Sequence, residues 1–385
     1  MAEAFLRPRL CLVVTSEVTV RAFLLDHLRA LSEEFDVTVV TSASDEKTLL
    51  ESCSNVRVVP LAMERGPSVG RDALSLFRLT QLLSEGGFDL VHSITPKAGL
   101  LTALAGGVLG VTPKIHTFTG QVWATRSGFV RRFLKCLDRI IVLTSHAVLA
   151  DSESQARFLV AEGVARDSEI SVLGKGSFTG VPLSRFAENQ ARRRAVREDL
   201  GIDEGQVAAV FLGRLKRDKG VLDLATAAAD LVRVGALFHL VIAGPDEEGL
   251  TGEICRLAEP LGNRLHLVGF TPNPEEILAA GDILCLPSYR EGFGSVVIEA
   301  AVSGVPALVS RIPGLIDAVE DGVTGLFHDA GDIPALKRGL GMLVGDSALR
   351  GRLGSGARKR AVAWFSREAS IAEWRNYYRR VLACS

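Results

Sequence analysis

Residues Leu286–Ala301 read LPSYREGFGSVVIEAA. The apolar run DILCLP from Asp282 to Pro287 predicts a buried strand, and SVVIEAA predicts a helix starting near Ser295, so a Gly-rich turn joins the two. Gly292 and Gly294 let backbone amides approach a ligand closely. The helix start adds unpaired N–H groups and the positive end of its dipole, which together favour an anion. Glu291 before the turn and Glu299 in the second helical turn cannot hold that anion, because ionised carboxylates only accept hydrogen bonds. A ligand with phosphates in its middle and hydroxyl-rich groups at both ends satisfies all three features. The plainer reading is a solvated helix N-terminus with acids placed favourably beside it.

A second constellation repeats the first. The strand VAAVFLGRL ends in Gly213-Arg214, and Lys219-Gly220 follows just before a helix whose Val221, Ala225, Ala228 and Val232 share one face. Cations at the C-terminal end of a parallel strand, facing a helix N-terminus, lie where open α/β sheets bind ligands, and their task would be to neutralise a diphosphate. Read plainly, they are a solvated basic turn; Arg217 and Asp218 are expected in solvent. The chain contains no D-x-D and no His/Cys cluster with metal spacing, so the expectation is that no metal ion or cofactor serves the site. Arg214, Lys219 and the amides at Gly294 and Ser295 would stabilise a leaving diphosphate instead.

Around these turns the chain alternates strand and helix. LCLVV from Leu10, DVTVV from Asp36, VRVVP from Val56, FDLVH from Phe88 and PKIHTF from Pro113 predict a first parallel sheet; FHLVIAG, RLHLVGF, DILCLP, VPALVS and TGLF, after VAAVFLGRL, predict a second. The Gly-, Ser- and Pro-rich passage GKGSFTGVPLSR from Gly174 separates them, which divides the chain into 1–183, 184–365 and a terminal helix, 366–385, with Ile371, Trp374, Tyr378, Val381 and Leu382 at helical spacing. A length of 385 residues suits two cores better than one. No G-x-G-x-x-G follows the first strand, where TSEVTVR stands, and this weakens a nicotinamide-dehydrogenase reading.

Composition narrows the partners. A formal net charge of −1 offers no basic field for nucleic acid. Cys11, Cys53, Cys136, Cys255, Cys285 and Cys384 form no C-x-x-C pair, which predicts a reduced, cytoplasmic protein. The start of the chain resembles no signal peptide, and the longest apolar segment, GLLTALAGGVLGV from Gly99, is too short to span a bilayer, so membrane contact is expected to be peripheral. On a helix starting near Ser127, Arg131, Arg132, Lys135 and Arg139 form one face, and Phe129, Val130, Phe133, Leu134 and Leu137 the other. Such a helix could lie on the anionic inner face of the cytoplasmic membrane, or be a core helix with a solvated basic face.

Glu291 and Glu299, with seven residues between them and an EGFG opening, resemble the E-x(7)-E motif of the retaining, nucleotide-sugar-dependent family-4 glycosyltransferases. The GRLKRDKG string is similar to that family's diphosphate-binding segment, and the resemblance covers essentially the whole chain. It implies the GT-B fold: two Rossmann-like doubly wound α/β domains facing a cleft, an N-terminal acceptor domain and a C-terminal nucleotide-sugar domain, with the terminal helix crossing back to the first. It also implies a sugar nucleotide as the bound ligand, retention at the anomeric carbon, and donor-site roles for Gly213, Gly244 in GPDEEG, Phe270, Gly292, Phe293, Gly294, Ser295 and Glu299. Glu291, Arg214, Lys219 and His116 of IHTFTGQVW are the candidate catalytic residues; a second histidine common in the family is Thr119 here, and a strand-end histidine is as readily structural.

TPKAGLL from Thr95, together with H-T-x-T-G and A-D-S-x-S-Q, resembles the subgroup that builds bacterial capsule, O-antigen and other polysaccharides on undecaprenyl diphosphate. Thr95 is expected to cap a helix with Pro96 at its first position, and Lys97 opposes the dipole of that helix unless an anion binds there, so Lys97 is the candidate for an acceptor diphosphate. The expected activity is transfer of a hexose or N-acetylhexosamine from a UDP-sugar to a lipid-diphosphate-linked glycan. A GT-B nucleotide-sugar epimerase and a non-catalytic nucleotide-sugar-binding protein are the alternatives.

Overall fold

A computed structural model describes residues 7–42, 55–63, 68–110 and 113–384; Cys53 lies outside them. The chain divides into two compact units, Met1–Gly180 with Arg367–Ser385, and Val181–Ser366.

The first unit is built on a seven-stranded parallel sheet in the order β3-β2-β1-β4-β5-β6-β7. Its strands are Arg9–Ser16, Asp36–Ser42, Val56–Pro60, Leu90–Ile94, Lys114–Phe118, Ala147–Ala150 and Ile170–Val172, numbered β1 to β7. In β1 every residue between Arg9 and Ser16 is buried, as a strand covered by helices on both faces requires. β6 escapes sequence reading because it is only the four residues AVLA, directly after a long helix. The order reverses between β1 and β4, which makes the ends of those two strands the switch point of the sheet.

Thr95 stands at that switch point but does not cap. Its backbone is at φ 82°, and its hydroxyl bonds the Thr15 hydroxyl at 2.6 Å instead of the first amides of helix Pro96–Leu109. Positive φ is costly for a β-branched residue, so the β1 end holds Thr95 in a strained conformation.

The terminal helix Arg367–Ala383 belongs to this unit. Trp374 and Tyr378, one turn apart, are buried in the core that also contains Leu10, Leu12, Leu28 and Ile94. Burying two rings of this size contributes roughly 4–6 kcal/mol each as an upper estimate. Their polar ends are matched as well. Trp374 Nε1 donates to the Phe178 carbonyl at 2.7 Å, and the Tyr378 hydroxyl meets His92 Nδ1 at 2.5 Å. Arg367 bonds Asp26 at 2.8 Å and Arg379 bonds Glu34 at 2.6 Å, so ion pairs extend the attachment at both ends of the helix.

Helix Gly128–Thr144 is amphipathic, but rotated from the expected orientation. Arg131 and Lys135 face inward: each pairs with Glu162 at 2.7 Å, and they lie 5.1 and 5.4 Å from the ring of Trp123. Arg139 Nε donates to the Gly163 carbonyl at 2.8 Å. Much of the side that a core helix would bury is exposed, with Phe129, Val130 and Phe133 in solvent, while Leu134 is half-buried against the core of Phe118, Trp123 and Ile141. The reason is non-local. The Glu162 carboxylate, held below the usual range by Lys135 and Arg131, draws both cations toward the body of the unit.

The second unit repeats the plan with six strands, β8 Ala208–Leu212, β9 His239–Ala243, β10 Leu265–Gly269, β11 Ile283–Leu286, β12 Ala307–Ser310 and β13 Gly325–His328. Their order, β10-β9-β8-β11-β12-β13, reverses between β8 and β11. All six coincide with apolar segments of the sequence, although the edge strand β10 carries His266 and has no fully buried residue.

Candidate active site

The two constellations meet at the switch point of the second sheet. β8 ends at Leu212 and is followed by Gly213 and Arg214; β11, beside it, ends at Leu286 and leads into the turn that carries Glu291. Lys219 closes a short 3-10 turn, Arg217–Lys219, before helix Val221–Arg233, and its ammonium lies 2.6 Å from Glu291 Oε1. Ser288, fully buried, donates its hydroxyl to the same oxygen at 2.9 Å. Two side chains 72 positions apart thus form a largely enclosed ion pair, each 13% exposed.

Two turns of the site each depend on a glycine. Gly294 has φ 81°, and a Cβ there would lie 2.5 Å from Leu315; it leads directly into helix Ser295–Val302, where Glu299 is half-buried. Gly244, after β9, has φ 142°, and a Cβ would lie 1.9 Å from the Gly213 carbonyl, so the backbones after β8 and β9 touch without side chains between them. Phe293, in the same turn as Gly294, points its side chain into the core. Its ring is 1% exposed and packs on Phe365 at 5.3 Å, so only its backbone is available to a ligand. Phe270, following β10, is 71% exposed and offers a free aromatic face.

The GPDEEG loop lies against Arg214. Asp246 accepts from the amides of Leu250 and Thr251 and from the Thr251 hydroxyl, which holds its carboxyl down at about 2. Glu247 reaches Arg214 Nη1 at 3.1 Å. Sequence reading missed Glu247; the available signal was a run of acids at one strand end opposite GRLKRDKG at the next. Asp218 is also not a solvent residue. It pairs with Arg290 at 2.9 Å, and although burial would raise its carboxyl, Arg290 together with Lys219 and Lys216 holds it below the usual range.

In the first unit, His116 is fully buried in β5. Its Nδ1 meets the Ser93 hydroxyl at 2.9 Å, its ring lies edge-on to Phe118, and a Cβ on Gly99 would lie 2.4 Å from it. Burial pushes its pKa down to about 3, so it is neutral near pH 7. Its Nε2 has no hydrogen-bond partner among the described residues and can give or take one hydrogen bond without changing charge. Gln121, which sequence reading passed over, is likewise buried with both amide atoms unpartnered among the described residues. Lys97 is not a lone cation: Asp72 pairs with it at 2.7 Å and supplies the anion its position calls for.

No group of three or more His, Cys, Asp or Glu side chains is arranged to hold a metal ion among the described residues. What the second site offers is two cations, two glycine-opened turns, a helix N-terminus and acids at its margins.

Residues 192–360 match the family model for glycosyl transferases group 1, and residues 19–176 match that for the glycosyl transferase 4-like domain. The chain is 27% identical to the capsular polysaccharide biosynthesis glycosyltransferase CapM of Staphylococcus aureus over 91% of both chains. It is 34% identical to a D-inositol 3-phosphate glycosyltransferase of Mycobacterium sp. strain KMS, over 72% of this chain and 68% of that one. It is 25% identical to the UDP-Gal:alpha-D-GlcNAc-diphosphoundecaprenol alpha-1,3-galactosyltransferase of Escherichia coli, over 83% and 82%. Among solved structures, Anabaena Alr3699/HepE in complex with UDP superposes with a TM-score of 0.78 at 20% identity, covering 97% of this chain and all of that one, which gives the GT-B fold. The protein belongs to the group 1, or family-4, glycosyltransferases, retaining enzymes that take their sugar from a nucleotide-sugar donor.

Proposed function

We propose that the donor is a UDP-linked hexose or N-acetylhexosamine and that the acceptor is a glycan carried on a lipid diphosphate. The observation that carries the donor half is the Lys219–Glu291 pair at a glycine-opened helix start, with Arg214 close by in sequence and held by Glu247. Each cation has a carboxylate partner, Glu247 for Arg214 and Glu291 for Lys219. A diphosphate would replace both carboxylates, since phosphate oxygens accept the same charge-assisted hydrogen bonds and also engage the amides at Gly294 and Ser295. Glu291, released from Lys219, would then accept from hydroxyls of the sugar, and Glu299 from the ribose.

As the glycosidic bond to the diphosphate breaks, charge develops on the leaving oxygen, and Arg214 and Lys219 are the groups that would stabilise it. A charge-assisted hydrogen bond contributes roughly 1.5–3 kcal/mol, so two could supply about two to four decades of rate. The leaving phosphate itself would take the proton of the attacking acceptor hydroxyl. The acceptor half of the reading is supported by the Escherichia coli relative, a galactosyltransferase of GlcNAc-diphosphoundecaprenol, and by Lys97, where a lipid diphosphate would compete with Asp72.

The test is incubation with a panel of UDP-sugars and undecaprenyl-diphosphate-linked sugars, with and without EDTA, reading products by mass spectrometry. Transfer to the lipid-linked acceptor that persists in EDTA is expected. Donor consumption without an acceptor would mark an epimerase, and transfer only to free sugars would overturn the acceptor.

A further inference from the structure

The outward face of helix Gly128–Thr144 is apolar where a surface helix is ordinarily polar. Phe129 is 81% exposed, Phe133 52% and Leu143 78%; Cys136 is exposed on the same stripe, at spacings of three and four. Phe129 and Phe133 stack on each other, with centroids 6.2 Å apart, rather than on the body of the unit. The fourteen residue-to-residue steps from Phe129 to Leu143 make a stripe of about 21 Å at 1.5 Å per step. Arg126, just before the helix, and Arg132, beside the stripe, are exposed.

Charge decides what covers this face. Between Pro113 and Thr144 the only acid is Asp138, which is buried and bonded to Trp123 Nε1 at 2.6 Å, so the outward face carries cations and no carboxylate. A second copy docking face to face would bring this arginine-rimmed surface against itself with no compensating acid on the helix. An anionic bilayer surface supplies what the face lacks: acyl chains for the phenylalanines and leucine, and phosphates for the guanidiniums.

We infer that helix Gly128–Thr144 is a membrane-docking helix that inserts its Phe129, Phe133 and Leu143 stripe into the interface of an anionic bilayer, with Arg126 and Arg132 on the headgroups. This differs from docking through a basic face, because Arg131 and Lys135 are committed to Glu162 and Trp123. It also stands apart from the acceptor reading, since it requires only lipid.

The experiment is flotation of the full-length protein with vesicles of phosphatidylglycerol and phosphatidylethanolamine that contain no glycan lipid, with phosphatidylcholine vesicles in parallel. Wild-type protein is expected to float with the anionic vesicles. The double variant Phe129→Ser with Phe133→Ser is expected to partition at least tenfold less while its far-ultraviolet circular dichroism and urea midpoint are unchanged, which shows that the first unit remains folded. Arg126→Gln with Arg132→Gln is expected to lose the preference for anionic over zwitterionic lipid. Equal partition of the phenylalanine variant and wild type would overturn the proposal. So would a wild type that stays in the aqueous phase, including one whose self-association disappears in the Phe129→Ser, Phe133→Ser variant, which would make the face a contact between copies.

Discussion

Lys219 and Glu291 neutralise each other at 2.6 Å, so replacing one alters the charge of the other's surroundings. Lys219→Ala removes a diphosphate ligand and leaves Glu291 facing the incoming phosphates, and at least a tenfold loss of kcat/KM is expected with no change in circular dichroism. Glu291→Ala instead frees Lys219, so kcat is expected to fall while UDP affinity holds or rises. A parallel loss of affinity in calorimetry would mean that the roles of the two glutamates are exchanged. Glu299→Ala is expected to weaken UDP binding by about 1.5–3 kcal/mol, the range for a hydrogen bond to a charged group. An unaltered dissociation constant would remove Glu299 from the ribose. These residues were legible in the sequence because Arg214, Lys219, Glu291 and Glu299 lie in two short strings. Glu247 and the burial of Phe293 were not, because each depends on a partner tens of residues away.

At the scale of elements, legibility followed how local the determining contacts are. Strands β8, β9, β11 and β12 were readable because a parallel strand buried on both faces must be a continuous apolar run, whereas the edge strands β10 and β13, only partly buried, were readable from shorter apolar stretches. The cap at Thr95 was misread because its hydroxyl finds Thr15, 80 positions earlier, and the facing of helix Gly128–Thr144 because Glu162 lies beyond its end. The terminal helix was recognised by its spacing, and its energetics can be tested directly. Trp374 is 1% exposed and its ring contacts His27, His92, Phe178 and Tyr378. Trp374→Ala is expected to destabilise the first unit by about 3–5 kcal/mol, as large-to-small core changes do. A urea midpoint unchanged at constant slope would show that the helix is not integral to that core.

Taken as a whole, the molecule has a built-in acid limit. Burial holds His27, His92 and His116 neutral, with pKa values pushed down to about 3, while in the unfolded chain each takes up a proton near 6.5. Between those values the unfolded state binds more protons, so this stabilisation is complete above pH 6.5 and is lost as pH falls toward 3. Asp138 acts in the opposite sense from 3.8 to about 6, because its buried carboxyl, raised by desolvation, holds a proton that the unfolded chain releases. The balance is about two protons, or roughly 3 kcal/mol per pH unit, lost between pH 6 and 4. Denaturant titrations at pH 7.5, 6 and 5 measure it, and a flat profile would contradict the buried neutral histidines. His239, His266 and His328 in the second unit are lowered by burial and add to the same trend.

The Arg367–Ala383 helix also imposes an order on synthesis. The second unit is one uninterrupted stretch, Val181–Ser366, whereas the first is complete only when Arg367–Ser385 has joined Met1–Gly180. As the chain leaves the ribosome, the part made first must therefore wait for the part made last, with the slot for Trp374 and Tyr378 open and His92 without its tyrosine partner. The part made in the middle can finish earlier. A nascent chain stalled at Ser366 would carry a completed second unit and an unfinished first one, so chaperones would meet this protein through the half that was translated first.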